Sequence, residues 1–142
     1  MTLSQIYKAL SDIALEQPNI RTIVLNDIYK LDTLKDVRYS VFGITQNYEH
    51  EQDETRRYYS LNLYYIDRLL EDGSNDVDIQ STGIEVLSNI IETLLEELGG
   101  KAELDETVKY QCFTQKFVDE TSGVYARIKL AIPLSSYCEE TY

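Results

Sequence analysis

Tryptophan is absent from the chain, and histidine and methionine occur once each. Proline occurs twice and glycine six times; so little of either, beside 43% hydrophobic residues, excludes the fibrous and disordered classes. Two cysteines, Cys112 and Cys138, make neither a disulfide framework nor a CxxC pair, and a reduced compartment is the default. One histidine and two distant thiols also fall short of a zinc ligand set. No uninterrupted apolar run exceeds the five residues Leu130–Leu134, whereas a membrane helix needs about 20. The N-terminal MTLSQIYKAL lacks the basic and apolar regions of a signal peptide, so the expectation is a chain made and folded in a cytosol. Cations are scarce: 13 Lys and Arg stand against 25 Asp and Glu, a net charge of −12. Phosphate contacts need Lys and Arg, so a free-standing nucleic-acid binder is disfavoured.

What is present is enough for one domain. A chain of 142 residues buries roughly 68% of its unfolded surface and builds a core without staples. Tyrosine is over-used, with 12 in all. Tyr suits strands, and it also suits surfaces that meet other subunits, because one side packs while the hydroxyl hydrogen-bonds. The acid is concentrated in the second half, including the stretch from Glu92 to Glu106. A solvated helix face and loop explain this most simply. The functional alternative is a surface that repels nucleic acid or meets a basic partner.

Hydrophobic spacing gives the element order. Thr2 and Gln5 form a capping box ahead of Leu3, Ile6, Leu10 and Ile13, predicting a helix over 2–17 that Pro18 stops. Ile23-Val24-Leu25 reads as a short strand with a turn at Asn26-Asp27. Residues 37–50 and 56–70 read as two long strands joined by a charged tip. Twelve such residues reach roughly 40 Å, so the hairpin is expected to project from the body. Thr82 and Glu85 read as a second capping box, opening a helix that Gly99-Gly100 ends. Residues 108–119 and 124–132 are expected as strands, turning through Glu120-Thr121-Ser122-Gly123, with Val124, Ala126, Ile128, Leu130 and Ile132 alternating towards a core. The fold expected is α+β: a mostly antiparallel sheet with a long hairpin and two packed helices, in the order α-β-ββ-α-ββ. Residues 1–134 form the domain and 135–142 a loose tail.

No catalytic, cofactor or metal site is expected. His50 sits between Glu49 and Glu51 at the hairpin tip, without an orienting partner or a dry cleft. Asp72, Ser74, Asp76 and Asp78 have the alternate spacing of a calcium loop, but Val77 replaces its glycine and Gly83 its final glutamate. No phosphate-binding glycine loop or nucleophile elbow occurs. Arg56-Arg57-Tyr58-Tyr59 is a weak nucleic-acid signal, better read as cationic guards on a strand edge.

Four strings carry a family resemblance: YSVFGITQ (39–46), LNLYYIDRL (61–69), IQSTGIEVLSNII (79–91) and FTQKFVDETSGVYA (113–126). With the element order, they resemble the tail-terminator or neck-ring (head–tail connector) proteins of tailed bacteriophages, in particular crAss-like and other Bacteroides phages. The resemblance covers residues 1–134. It implies a structural virion protein, made in the host cytoplasm. Such a protein forms a hexameric or dodecameric ring between head and tail, beside portal or tail proteins, with DNA passing in transit and no membrane. The long hairpin is expected to leave Tyr48, Tyr58 and Tyr59 in water near its tip, so the expected interface joins these rings and the Arg56-Arg57 pair to Glu85, Glu92 and Glu96, which helical spacing places on the outer side of the second helix, on the next subunit. The alternatives are an acidic, DNA-mimicking binding module and a small enzyme with an unrecognised carboxylate site.

Overall fold

Thr2 starts the first helix as its spacing predicts. Its hydroxyl accepts from the Gln5 amide at 3.2 Å, and the Gln5 side chain accepts from the Thr2 amide at 2.8 Å. A computed structural model describes residues 1–28, 37–47, 49–116 and 120–134. Within them, α1 spans Leu3–Leu15, ending two residues before the expected point, and buries Ile6, Leu10, Ile13 and Ala14. Strand β1 (Thr22–Leu25) follows, and Asn26 takes a left-handed turn at φ 70°. The remaining elements are β2 (Val41–Gln46), β3 (Glu51–Gln52), β4 (Arg56–Arg68), α2 (Asp76–Leu98), β5 (Glu103–Leu104), β6 (Lys109–Lys116) and β7 (Glu120–Pro133).

The fold is α+β, with two helices and a seven-stranded mixed sheet. The strand order is β1-β2-β4-β7-β5, with β3 also on β4 and β6 also on β7. Only β1 and β2 run parallel; the sheet is therefore not purely antiparallel.

The projecting hairpin is corrected. Strand β4 lies inside the sheet and pairs with β7 along its whole length, from Arg56 opposite Pro133 to Arg68 opposite Thr121. It is matched because β7 has 14 residues and includes the Glu120–Gly123 stretch expected as a turn. Lys116 pairs directly with Glu120, and the link between them, 117–119, lies outside the described residues. The helix above is longer too: α2 has 23 residues and begins at Asp76, spanning about 34 Å. Thr82 thus lies within the helix and caps nothing. Asp76 and Asp78 occupy the first turn, where carboxylates favour the helix dipole. Gly99, at φ 53°, caps the other end as expected.

Both helices cover one sheet face. Alternation sends Leu61, Leu63 and Tyr65 of β4, and Val124, Ala126, Ile128, Leu130 and Ile132 of β7, into the same buried cluster as Leu87, Ile90 and Leu94 of α2. Gly83 lets α2 approach: a Cβ there would press on Val124 and the Tyr65 ring. On the other face, Val24, Val41 and Ile66 form a smaller cluster flanked by Ile28, Val37, Tyr39, Tyr64 and Phe113. Among the described residues no helix covers the rest of that second face, the open face of the sheet. Residues 29–36 and the expected tail 135–142 lie outside the described residues.

Candidate functional site

The turn between β3 and β4 is organised by Asp53. Its Oδ1 accepts from the amides of Thr55 and Arg56, each at 2.8 Å, and its Oδ2 accepts from the Tyr58 hydroxyl at 2.7 Å. The Tyr58 bond, followed by the two backbone donors, holds the Asp53 carboxyl at a pKa of about 2. The same bond raises Tyr58, since it stabilises the protonated phenol. Over the Tyr58 ring, at 5.2 Å, sits the Lys129 ammonium. It reaches Glu51 at 3.2 Å, Asp105 at 3.6 Å and Glu106 at 3.8 Å. The hydrogen bond that the ammonium donates to Glu51 is the main reason its pKa is raised.

This hairpin end is largely self-satisfied. Arg56 pairs with Glu103 of its own chain at 2.8 Å. Arg57 donates to Gln52 at 2.8 Å and to the Tyr59 hydroxyl at 3.3 Å. Both acceptors are neutral, and among the described residues no carboxylate pairs with Arg57. Tyr59 corrects the expectation of a ring in water: it is 6% exposed, packed in the main core, with its hydroxyl donating to the Met1 carbonyl. Its inward direction follows from strand alternation with Leu61 and Leu63. Tyr48 lies outside the described residues.

His50 is also placed differently from its expected solvated tip. Its Nδ1 accepts from the Ser60 amide at 3.3 Å, so Nε2 carries the proton and donates to Gln46 Oε1 at 2.9 Å. The ring meets Tyr59 edge-on, 5.5 Å between centroids. The imidazole therefore ties β2 to β4.

Glu85, Glu92 and Glu96 are exposed on α2. Spacings of seven and four place them in one stripe, on the side away from Leu87, Ile90 and Leu94. Among the described residues none of the three makes an ion pair.

The open face of the sheet carries an aromatic cluster. Tyr64 and Tyr125 lie 5.2 Å apart, Phe113 stands 6.3 Å from each, and the Arg127 guanidinium is 5.7 Å from the Tyr125 ring centre. Lys109 is directly opposite Arg127 across the β6–β7 pair. Sequence reasoning passed over both cations, because their juxtaposition depends on that strand register.

A polar cleft of about 410 Å³ lies at the other end of β4, lined by Arg21, Ser40, Tyr65, Asp67 and Asp78. Ser40 donates to Asp67 at 3.0 Å, so the Tyr65 hydroxyl donates in turn to Ser40 at 2.9 Å. Burial raises the Tyr65 pKa. The chain's single histidine is committed to Gln46 and Ser60, so the Ser40 hydroxyl is oriented by a carboxylate with no imidazole to take its proton. Among the described residues no three His, Cys, Asp or Glu side chains converge as metal ligands, and no helix is long and apolar enough to cross a membrane.

No protein-family model matches the chain, and no curated protein matches it.

Proposed function

We propose that the protein is a structural subunit of a ring at the neck or tail of a tailed bacteriophage, of the tail-terminator or head–tail connector kind. In this role, hexameric or dodecameric rings contact the neighbouring portal, neck or tail proteins and leave a path for DNA. The observation that carries the proposal is the outer stripe of α2. Glu85, Glu92 and Glu96 stand exposed on a helix whose opposite side is core, and no cation of the described chain answers them.

Such a stripe suits a ring in two ways. Turned towards a neighbour, it offers one half of a charge-matched contact. Turned towards the lumen, it repels phosphate and lets DNA pass without binding, in keeping with the net charge of −12. The hairpin end offers less than its sequence implied: Arg56 is spent on Glu103, and Arg57 remains the cation there without a carboxylate among the described residues. The resemblance of residues 39–46, 61–69, 79–91 and 113–126 to phage neck-ring proteins supports the same role.

Electron microscopy tests it. Closed rings of the purified chain, and its antibody label at the neck of phage particles, are the expected results. A chain that is monomeric at every concentration and absent from the particle would refute the proposal.

A further inference from the structure

We infer that the open face of the sheet, centred on Lys109 and Arg127, is the docking surface for α2 of a second copy of this chain. This rests on the ring proposal and names the surfaces that meet.

The starting point is a local conflict. Lys109 and Arg127 are directly opposed on neighbouring antiparallel strands, and like charges in that position destabilise a sheet. Across the other flank, Arg127 faces Asn62, so no acid relieves it there either. Among the described residues neither cation makes an ion pair. The acids of the open face gather elsewhere: Glu51, Asp105 and Glu106 all converge on Lys129, two residues further along β7. In a chain of net charge −12, an exposed pair of unanswered cations calls for an external anion.

The chain itself supplies one of matching shape. Glu85, Glu92 and Glu96 form a single stripe about 17 Å long on the outer side of α2. Beside the two cations, Tyr125, Tyr64 and Phe113 are half-buried and flank the position a helix would take. Tyr rings of this kind supply contact area at subunit interfaces.

The geometry also fixes the type of contact. Helix α2 covers one face of the sheet, while Lys109 and Arg127 lie on the other. Two complementary surfaces on opposite sides of one subunit cannot meet in a two-fold dimer. They join head to tail, and such contacts close into rings when the rotation allows. The charges set orientation and reject wrong pairings. A basic, aromatic sheet face also suits single-stranded nucleic acid, but the surrounding acid opposes that ligand.

The test is a charge exchange read by analytical ultracentrifugation up to millimolar chain, with circular dichroism confirming each fold. One variant carries Lys109→Glu and Arg127→Glu; the other carries Glu85→Lys, Glu92→Lys and Glu96→Lys. Each alone is expected to self-associate about 100-fold more weakly than the wild type. An equimolar mixture of the two is expected to assemble again, because each α2 then finds a face of opposite sign. A wild-type ring untouched by Lys109→Glu and Arg127→Glu, or a mixture that stays monomeric, overturns the contact and leaves the ring proposal standing. Wild-type chain that is monomeric throughout overturns the contact, and it overturns the ring proposal as well when the chain is also absent from the particle. Binding of single-stranded DNA that depends on Lys109 and Arg127, with self-association unaffected by them, assigns the face to nucleic acid and overturns the contact.

Discussion

The Tyr58 hydroxyl donates to Asp53 Oδ2 at 2.7 Å, while two backbone amides of the same turn hold Oδ1. One carboxylate thereby fixes the entry to β4, the strand on which both sheet faces are organised. Its pKa is depressed from 3.8 to about 2. A depressed carboxylate contributes stability that is fully present above its unfolded pKa and lost as pH falls through the folded one. The urea midpoint should therefore decline between about pH 4 and pH 2. Asp53→Asn should flatten that part of the profile and lower the midpoint at neutral pH. An unchanged profile in the variant would remove Asp53 from this role.

Gly123 lies directly opposite Ile66 in the β4–β7 pairing. A Cβ there would collide with the Tyr65 carbonyl and crowd the Phe113 ring. Backbone cannot retreat as a flexible side chain can, so Gly123→Ala should cost at least about 1–3 kcal/mol. Chemical denaturation measures this; a neutral result would mean that the two strands separate more easily than their pairing implies.

Leu87 of α2 is fully buried, whereas Val77 in its first turn is 73% exposed. Truncating Leu87→Ala should cost about 2–5 kcal/mol through lost burial and the cavity left behind. Val77→Ala should stay within about 0.5 kcal/mol. Comparable losses at the two sites would contradict the way α2 is seated on the sheet.

Parts of this arrangement were legible in the sequence because short-range chemistry determines them. The Thr2–Gln5 capping box is complete within one helical turn, and Gly99 marks a helix end by its own backbone freedom. Strict alternation in β7 from Val124 to Ile132 identified the core face. The failures lie where tertiary contacts override local composition. Glu120-Thr121-Ser122-Gly123 has turn residues, yet Thr121 and Ser122 are buried, and Gly123 serves close strand approach rather than a turn. Asp76 and Asp78 looked like loop acids but start α2. At the candidate site, exposure of Glu85, Glu92 and Glu96 followed from helical spacing. The Arg56–Glu103 pair and the Lys109–Arg127 opposition did not, because each depends on which strand lies beside β7 and in what register.

Neutralising the helix stripe separates assembly from folding. Glu85→Gln, Glu92→Gln and Glu96→Gln together should change the denaturation midpoint little, since none of the three is paired within the described chain. Self-association should weaken about 10-fold or more if the stripe is a subunit contact. A fold destabilised by the change would assign the stripe to the subunit itself.

The most direct measurement is electron microscopy of phage particles, with the ring position identified by fitting this domain into the density. The expected result is a closed hexameric or dodecameric ring at the neck or tail end, with α2 of each subunit against its neighbour. Density that places the domain elsewhere in the particle, or a particle complete without it, would contradict a structural ring role.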